Sequence, residues 1–190
     1  MAKVIVEMTL SLDGFIAGPH VNKEHAMGIG GDRLHQWIFD GKSKGDEAVL
    51  EESKKMTGAV IIGKTMFNVG LQYWNDTPFP VPSYVLTHEP LDKLSMKSSA
   101  FTFITTGIEH ALIEAKAAAG NKNVLVMGGA NVAQQYIRTR LFDELWIHIA
   151  PVLLGDGVRL FEHLGRDHIE LERISLVGTQ GMTHMKFRRV

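Results

Sequence analysis

The chain has no cysteine in its 190 residues, which removes thiol nucleophiles, disulfide frameworks, iron–sulfur clusters and thiolate-held zinc together. It also lacks an excess of either charge: 20 basic side chains stand against 21 acidic ones, and no run of five like charges occurs. Without such a field, binding to nucleic acid or to an anionic membrane surface is not expected. No stretch approaches the roughly 18 apolar residues of a spanning helix, and Val4 enters a strand pattern with no signal-peptide leader, so the sequence reads as cytoplasmic. Internal repeats and low-complexity tracts are missing. At this length one core suffices to hold a chain, which predicts a single domain over residues 1–190.

What is present is an alternation of strand and helix patterns. Val4, Val6, Met8 and Leu10 alternate with Lys3, Ile5, Glu7 and Thr9, a period of two that predicts a strand ending at Ser11-Leu12-Asp13-Gly14. From there to Gly45 the chain is rich in Gly and His, with one apolar cluster at Leu34, Trp37, Ile38 and Phe39, and reads as a long functional loop. The Gly28-Ile29-Gly30-Gly31 cluster follows no strand and reads as loop flexibility. Asp46 is placed to cap a helix carrying Val49, Leu50 and Met56. Apolar runs at 59–62, 84–87, 101–105 and 124–127 predict strands, interleaved with helices that start near Thr65, cover Ile108 to Ala115, and carry Val132, Ala133, Tyr136 and Ile137.

Leu145, Ile147 and Ile149 alternate with Glu144, Trp146 and His148, so a large aromatic face there needs cover from a helix or a second copy of the chain. Residues 169–177 and 182–188 read as a closing antiparallel pair, with a bulge near Arg173 where the apolar parity switches. The fold class is therefore α/β: a mixed, mostly parallel central sheet with helices on both faces and an antiparallel C-terminal strand pair.

Gly58 to Thr65 spells G-x-x-x-x-G-K-T, yet its four intervening residues, Ala-Val-Ile-Ile, suit a strand interior and not a phosphate-wrapping loop, so nucleoside triphosphate hydrolysis is not expected. What survives is Gly63-Lys64-Thr65 between a strand and a helix, where unpaired N–H groups attract an anion and Lys64 adds charge. The plainer alternative is a strand end and a helix cap. Gly128-Gly129-Ala130-Asn131 repeats the arrangement, and two such turns in one parallel sheet suit a ligand with several phosphates. Asp13 stands where the first strand leaves the sheet, either as an acid that orients or protonates a substrate or as an Asp-Gly turn residue. The nine His show no helical metal spacing, so no metal site is expected, and the absence of a G-x-S-x-G elbow argues against a serine hydrolase.

Five segments occur in an order that resembles the dihydrofolate reductase-like family, in its branch related to the C-terminal reductase domain of the riboflavin-biosynthesis bifunctional deaminase-reductase. They are Ser11-Leu12-Asp13-Gly14-Phe15-Ile16-Ala17-Gly18, Ile62-Gly63-Lys64-Thr65-Met66-Phe67, Tyr84-Val85-Leu86-Thr87, Val126-Met127-Gly128-Gly129-Ala130 and Pro151-Val152-Leu153-Leu154-Gly155-Asp156-Gly157. The resemblance covers essentially the whole chain. It implies the three-layer fold of that family, a homodimer, and an NADPH-dependent oxidoreductase of dihydrofolate reductase or 5-amino-6-(5-phosphoribosylamino)uracil reductase type. By the same resemblance Gly63, Lys64 and Thr65 meet the diphosphate and 2′-phosphate side of the cofactor, and Thr87 the adenosine portion. Gly128, Gly129, Ala130 and Asn131 cradle the diphosphate, Ile16 and Ala17 flank the nicotinamide, and Asp13 is the acid on the substrate side.

Departures bear on the substrate. The stretch from Val21 to Trp37 differs from true dihydrofolate reductases, neither Asp32 nor Asp40 matches the helix acid that meets the pterin, and a fused deaminase with zinc ligands is absent. The function expected is hydride transfer from NADPH to a small heterocycle (pterin, pyrimidine or related) or carbonyl compound; the alternative is a non-catalytic pterin- or nucleotide-binding module on the same fold. If Asp13 is the acid, partial burial should raise its pKa, with Asp156 the next acid to consider, and Trp37 or Trp74 should close over the pocket.

Overall fold

The computed structural model describes residues 2–40 and 43–190. In chain order the strands are β1 (Val4–Ser11), β2 (Phe15–Ala17), β3 (Thr57–Gly63), β4 (Ser83–Leu86), β5 (Leu94–Ser95), β6 (Ala100–Ile104), β7 (Asn123–Gly128), β8 (Glu144–Ala150), β9 (Val158–Arg159), β10 (Leu171–Gly178) and β11 (Thr183–Arg189). The helices are α1 (Gln36–Phe39), preceded by a 3-10 turn over Gly31–His35, then α2 (Lys44–Met56), α3 (Lys64–Trp74), α4 (Ile108–Ala119) and α5 (Ala130–Arg138). Nine strands form one sheet in the order β10-β11-β8-β1-β7-β3-β4-β6-β5. The six from β8 to β6 are mutually parallel, while β11 and β5 run against them and β10 pairs antiparallel with β11. This is the mixed sheet the sequence predicts.

The apolar runs dictate this layering. A strand such as Val60-Ile61-Ile62 is buried on both sides and so needs a helix on each face. Helices α4 and α5 cover the face carrying Val4, Val6, Met8, Ala59, Ile61, Val124 and Val126. Helix α3 covers the other, against Ile5, Val60, Ile62 and Leu125, with Phe67 edge-on to Phe101 at a centroid distance of 5.0 Å. On that second face, toward β8 and β11, a smaller cluster of Leu34, Trp37, Val49, Ala150 and Met182 seats α1 and α2. Helix α2 begins one turn earlier than expected: Ser43 is the cap, and Asp46 completes a capping box as the third helical residue. Ladder register slips between Arg173 and Ser175, the bulge that the switch of parity marks.

The face of β8 bearing Trp146 and His148 is covered by its own chain. Trp146 is 2% exposed, donates through Nε1 to Glu144 Oε2 at 2.9 Å, and lies under the Lys186 ammonium at 3.8 Å from the ring centroid. Trp37 covers His148. The strands that leave no trace in the sequence are the shortest: β5 and β9 have two residues and β2 three, too few for a period. Among the described residues no helix is long and apolar enough to cross a membrane.

The glycine-rich stretch after β2 is packed, not flexible. Gly18 N–H donates to Met27 O at 2.8 Å and Ile29 N–H to Pro19 O at 2.8 Å, knitting the 18–31 loop shut. A Cβ on Gly28, whose φ is +70°, would lie 2.1 Å from Gly18 O. Gly28→Ala should therefore exceed the roughly 1–2 kcal/mol of a left-handed alanine, because backbone must also move. Urea denaturation should show a lowered midpoint with an unchanged m-value; a midpoint equal to that of the parent chain would show the contact to be soft.

Candidate active site

Because six neighbouring strands are parallel, their carboxyl ends share one edge; three of the turns there start helices, and those of α3 and α5 are adjacent. Gly63 ends β3 and caps α3; Gly129, after β7, caps α5. The turns abut: a Cβ on Gly63 would sit 2.9 Å from Val132 Cγ2 and 3.7 Å from Gly129 N, and Ile62 is in register with Gly128. Gly128 has φ +112°, its Cβ position is blocked by Met8 Cε at 3.0 Å, and the Gly128–Gly129 peptide is cis. Neither helix has a side-chain cap, in contrast to α2, so the first N–H groups of α3 and α5 remain available at the shared edge. Helix N-termini attract anions and glycine backbone lets a ligand approach closely, so this pair of turns is the candidate anion-binding cradle. Residues 59–62 are strand interior with no exposed surface, so the G-x-x-x-x-G-K-T string is not a P-loop.

The other positions expected to meet a cofactor distribute around this cradle. Lys64 leans away from α5 toward β6, its Nζ 5.2 Å from the Phe67 centroid and 5.0 Å from that of Phe103. Thr87 lies on the same side, just past β4; its N–H donates to Ile104 O at 3.0 Å and its Oγ1 accepts from Glu89 N–H at 3.1 Å. Thr65, Ala130 and Asn131 occupy first turns; Thr65 and Asn131 are exposed, and Asn131 Oδ1 accepts from Gln135 Nε2 at 2.7 Å. Ile16 and Ala17 are buried in β2, which pairs with β9, so they form a wall and not a set of polar contacts.

Asp13 fastens two loops. Its Oδ1 accepts from Leu154 N–H at 3.1 Å and its Oδ2 from Gly155 N–H at 2.8 Å, while Arg159 Nη1 donates to Asp13 O at 2.8 Å and stacks over Phe15 at 4.1 Å. The raised pKa expected of this acid is reversed. The Ser11 hydroxyl, with the Gly155 and Leu154 amides, outweighs desolvation and holds the carboxyl at about 2, so at neutral pH it has no proton to give. Asp156 accepts from Gly157 N–H at 2.7 Å, a turn within its own loop. Trp74 is not a cover for this edge: it ends α3, a helix length away from Lys64, and stacks on Phe101. Trp37 is likewise buried, its Nε1 donating to Thr9 Oγ1 at 3.2 Å.

The sequence did not disclose a buried polar row beside this edge. Thr9 is in register with His148, and His148 with His184, so the polar positions of β1, β8 and β11 lie on one face beneath α2. His148 Nε2 is 3.0 Å from Glu7 Oε1, His148 Nδ1 is 2.8 Å from His184 Nδ1, and His184 Nε2 is 2.8 Å from Asp46 Oδ1. The alternation of Glu7 and Thr9, and of Glu144, Trp146 and His148, was a visible signal; that the two strands are neighbours was not. Among the described residues no group of three or more His, Asp or Glu is arranged to hold a metal ion.

The family model described as the RibD C-terminal domain matches residues 2–183, and the chain belongs to that family. The Bacillus subtilis protein YwjB is 26% identical over 179 residues, covering 94% of this chain and 91% of its own. Among solved structures, a protein named for riboflavin biosynthesis from Shewanella sp. PV-4 superposes with a TM-score of 0.74 at 23% identity, covering 99% of each chain. A Thermotoga maritima deaminase and 5-amino-6-(5-phosphoribosylamino)uracil reductase gives 0.70 at 12%, covering all of this chain and 57% of that one. Enterococcus faecalis dihydrofolate reductase, in complex with NADP(H), gives 0.63 at 13%, covering 98% of this chain and 96% of that one. These likenesses establish a dihydrofolate reductase-like fold.

Since the folded carboxyl of Asp13 sits below its unfolded value, its contribution to stability is complete above roughly pH 4 and is lost as pH falls toward about 2. Asp13→Ala should raise hydrogen exchange at the Leu154 and Gly155 amides well above the rate in the parent chain. Unchanged exchange at both would show that the 152–157 loop holds without this carboxylate.

Proposed function

We propose that this member of the RibD C-terminal domain family is an NADPH-dependent reductase of a small heterocyclic (pterin, pyrimidine or related) or carbonyl compound. The observation that carries the reading is the meeting of two uncapped helix N-termini at glycines 63, 128 and 129, packed so closely that a Cβ at Gly63 would lie 2.9 Å from Val132 Cγ2 and 3.7 Å from Gly129 N. The donor set fits a dinucleotide diphosphate, with N–H groups and helix dipoles in place of metal. When bound, NADPH supplies the hydride.

The chain's own residues then bind and orient. The N–H groups at the starts of α3 and α5, with Gly63, Thr65, Gly128, Gly129, Ala130 and Asn131, hold the diphosphate. Lys64, lying on the Thr87 side of the cradle, meets the 2′-phosphate. The β2 wall of Ile16 and Ala17 flanks the nicotinamide. Asp13 acts at the substrate end as a positioning residue: ionised at neutral pH, it fixes the 11–18 and 152–157 segments against each other and presents negative charge, which favours substrates offering N–H or O–H donors there. A second copy of the chain is proposed to pack on β10, where Leu171, Ile174, Leu176 and Val177 are exposed along an edge strand.

A fluorescence titration with NADPH tests the reading directly; absence of binding at millimolar cofactor overturns it. Lys64→Ala should weaken NADPH by on the order of 1.5–3 kcal/mol and NADH hardly at all. Equal losses would assign Lys64 to the diphosphate or to the fold. Cofactor oxidation in the presence of dihydrofolate, pterins, flavins and quinones identifies the acceptor class, and NADPH binding with no turnover on any of them would favour a non-catalytic module. Light scattering that returns the 21.1 kDa monomer at tens of micromolar would remove the dimer.

A further inference from the structure

The row Glu7, His148, His184 and Asp46 is a closed hydrogen-bonded chain that the reductase reading leaves unused. It has three links, at 3.0, 2.8 and 2.8 Å, and each needs one hydrogen between its heavy atoms. Two carboxylates and two neutral imidazoles bring only two. With both rings neutral and both carboxylates ionised, some link must set lone pair against lone pair, so the geometry requires a third hydrogen.

Its place can be worked out. Asp46 also accepts from Thr179 Oγ1 at 2.9 Å and, through Oδ2, from Ser43 N–H and Oγ at 2.9 and 2.8 Å. Burial works to raise its pKa, and these bonds with that from His184 prevail and hold it at about 2, so Asp46 is ionised. Burial also disfavours the charged form of His184, against the pull of the Asp46 hydrogen bond. His184 is thus neutral, donating from Nε2 to Asp46 and accepting at Nδ1. His148 must donate from Nδ1, which leaves the third hydrogen in the link between His148 Nε2 and Glu7 Oε1. Glu7 is further bonded by the Ser53 hydroxyl at 2.6 Å.

We propose that the His148–Glu7 link holds one proton beyond the ordinary neutral-pH complement of this row, and that the protonated pair positions Trp37 and the 18–40 loop beside the candidate active site. The indole lies 4.9 Å from both imidazoles, tilted by 50° and 57°, so a positive ring beneath it is attracted to its face. The 3-10 turn preceding Trp37 packs on β2, the wall formed by Ile16 and Ala17. The other titratable and charged groups around the pair leave the charge there. From the 3-10 turn, His35 has a buried Nδ1 without a partner and is held at about 4 by burial, against Asp32, so it adds no second positive charge. From β11, Lys186 is paired with Glu52 of α2 and lies over Trp146. His148 and Glu7 act through Trp37 and are positioning residues.

Proton-detected nitrogen NMR of the full chain labelled in histidine tests the assignment at pH 7, with His148→Gln and His184→Gln locating the signals. His184 should show one protonated ring nitrogen and His148 two; a His148 protonated on Nδ1 alone, with the proton on Glu7, would leave no positive ring and overturn the attraction to Trp37. A neutral His148 beside an ionised Glu7 overturns the proposal. The folded state would hold a proton that the unfolded chain releases above roughly pH 6.5. The folding constant should therefore fall about tenfold per pH unit between about pH 7 and 8.5, and Glu7→Gln should abolish that slope. A flat profile in the parent chain, or a slope that survives Glu7→Gln, also overturns it. With 5-fluorotryptophan, Glu7→Gln should move the Trp37 resonance and leave that of Trp74 in place; no movement removes the positioning role. The NMR pattern and the slope are read on the unmodified chain, so they stand even if a variant fails to fold. No arm uses cofactor or substrate, so failure here is distinct from failure of the reductase reading.

Discussion

Six parallel strands buried on both faces constrain everything else in this molecule. A parallel pair can be joined only by a crossover that returns to the starting edge, and here three of the five crossovers, through α3, α4 and α5, are helices that follow the strand ends. The carboxyl-end edge therefore collects the glycine turns, the unpaired N–H groups and the positive helix ends without any further device. Sealing the sheet with apolar residues on both faces also means that side chains cannot provide much polar chemistry inside it. On the proposed reading the chemistry moves to the edge, and backbone supplies most of it.

The exception lies where the sheet turns antiparallel. Past β8 the second face is covered by α1, α2 and the loop before them, and the residues facing it in β1, β8 and β11 include Glu7, Thr9, His148 and His184. Burying two carboxylates and two imidazoles is costly unless every lone pair and hydrogen finds a partner, and here hydroxyls from Ser43, Ser53 and Thr179 complete the set. Asp46 shows how economical the arrangement is: one carboxylate closes the α2 capping box, receives the β10–β11 turn and ends the histidine row. Helix α2 is thus fixed to the sheet by directional bonds where α4 and α5 rely on apolar packing.

Much of the fold was legible because its signals are local. Periods of two in β1 and β8, the four apolar runs and the Ile108, Ala111, Leu112, Ala115 stripe each specify an element without reference to its neighbours. The paired glycine turns were legible for the same reason. What escaped depends on pairing between distant segments. The Gly28–Gly31 cluster looks loose in sequence and is tight in space because Gly18 lies against it. Asp13 looks like an acid free to hold a proton until the 152–157 loop, some 140 residues on, takes up both its oxygens. Asp46 reads as a cap because its partner His184 is 138 residues away.

That difference alters how the chemistry of the edge has to be understood. Both Asp13, at the carboxyl-end edge, and Asp46, at the end of the buried histidine row, are held at about 2 by hydrogen bonds that favour the charged form. Neither can protonate a substrate at neutral pH, whatever their proximity to it. A reductase built on this edge would thus contribute geometry and negative charge, while the proton that accompanies a hydride would come from solvent reaching the open rim. The proposed proton in the His148–Glu7 link does not remedy this, for it lies in the middle of the strands beneath Trp37 and is retained by the fold. On the two proposals together, the uses of a proton separate: one would be held inside to shape the wall of the site, and the other left to water.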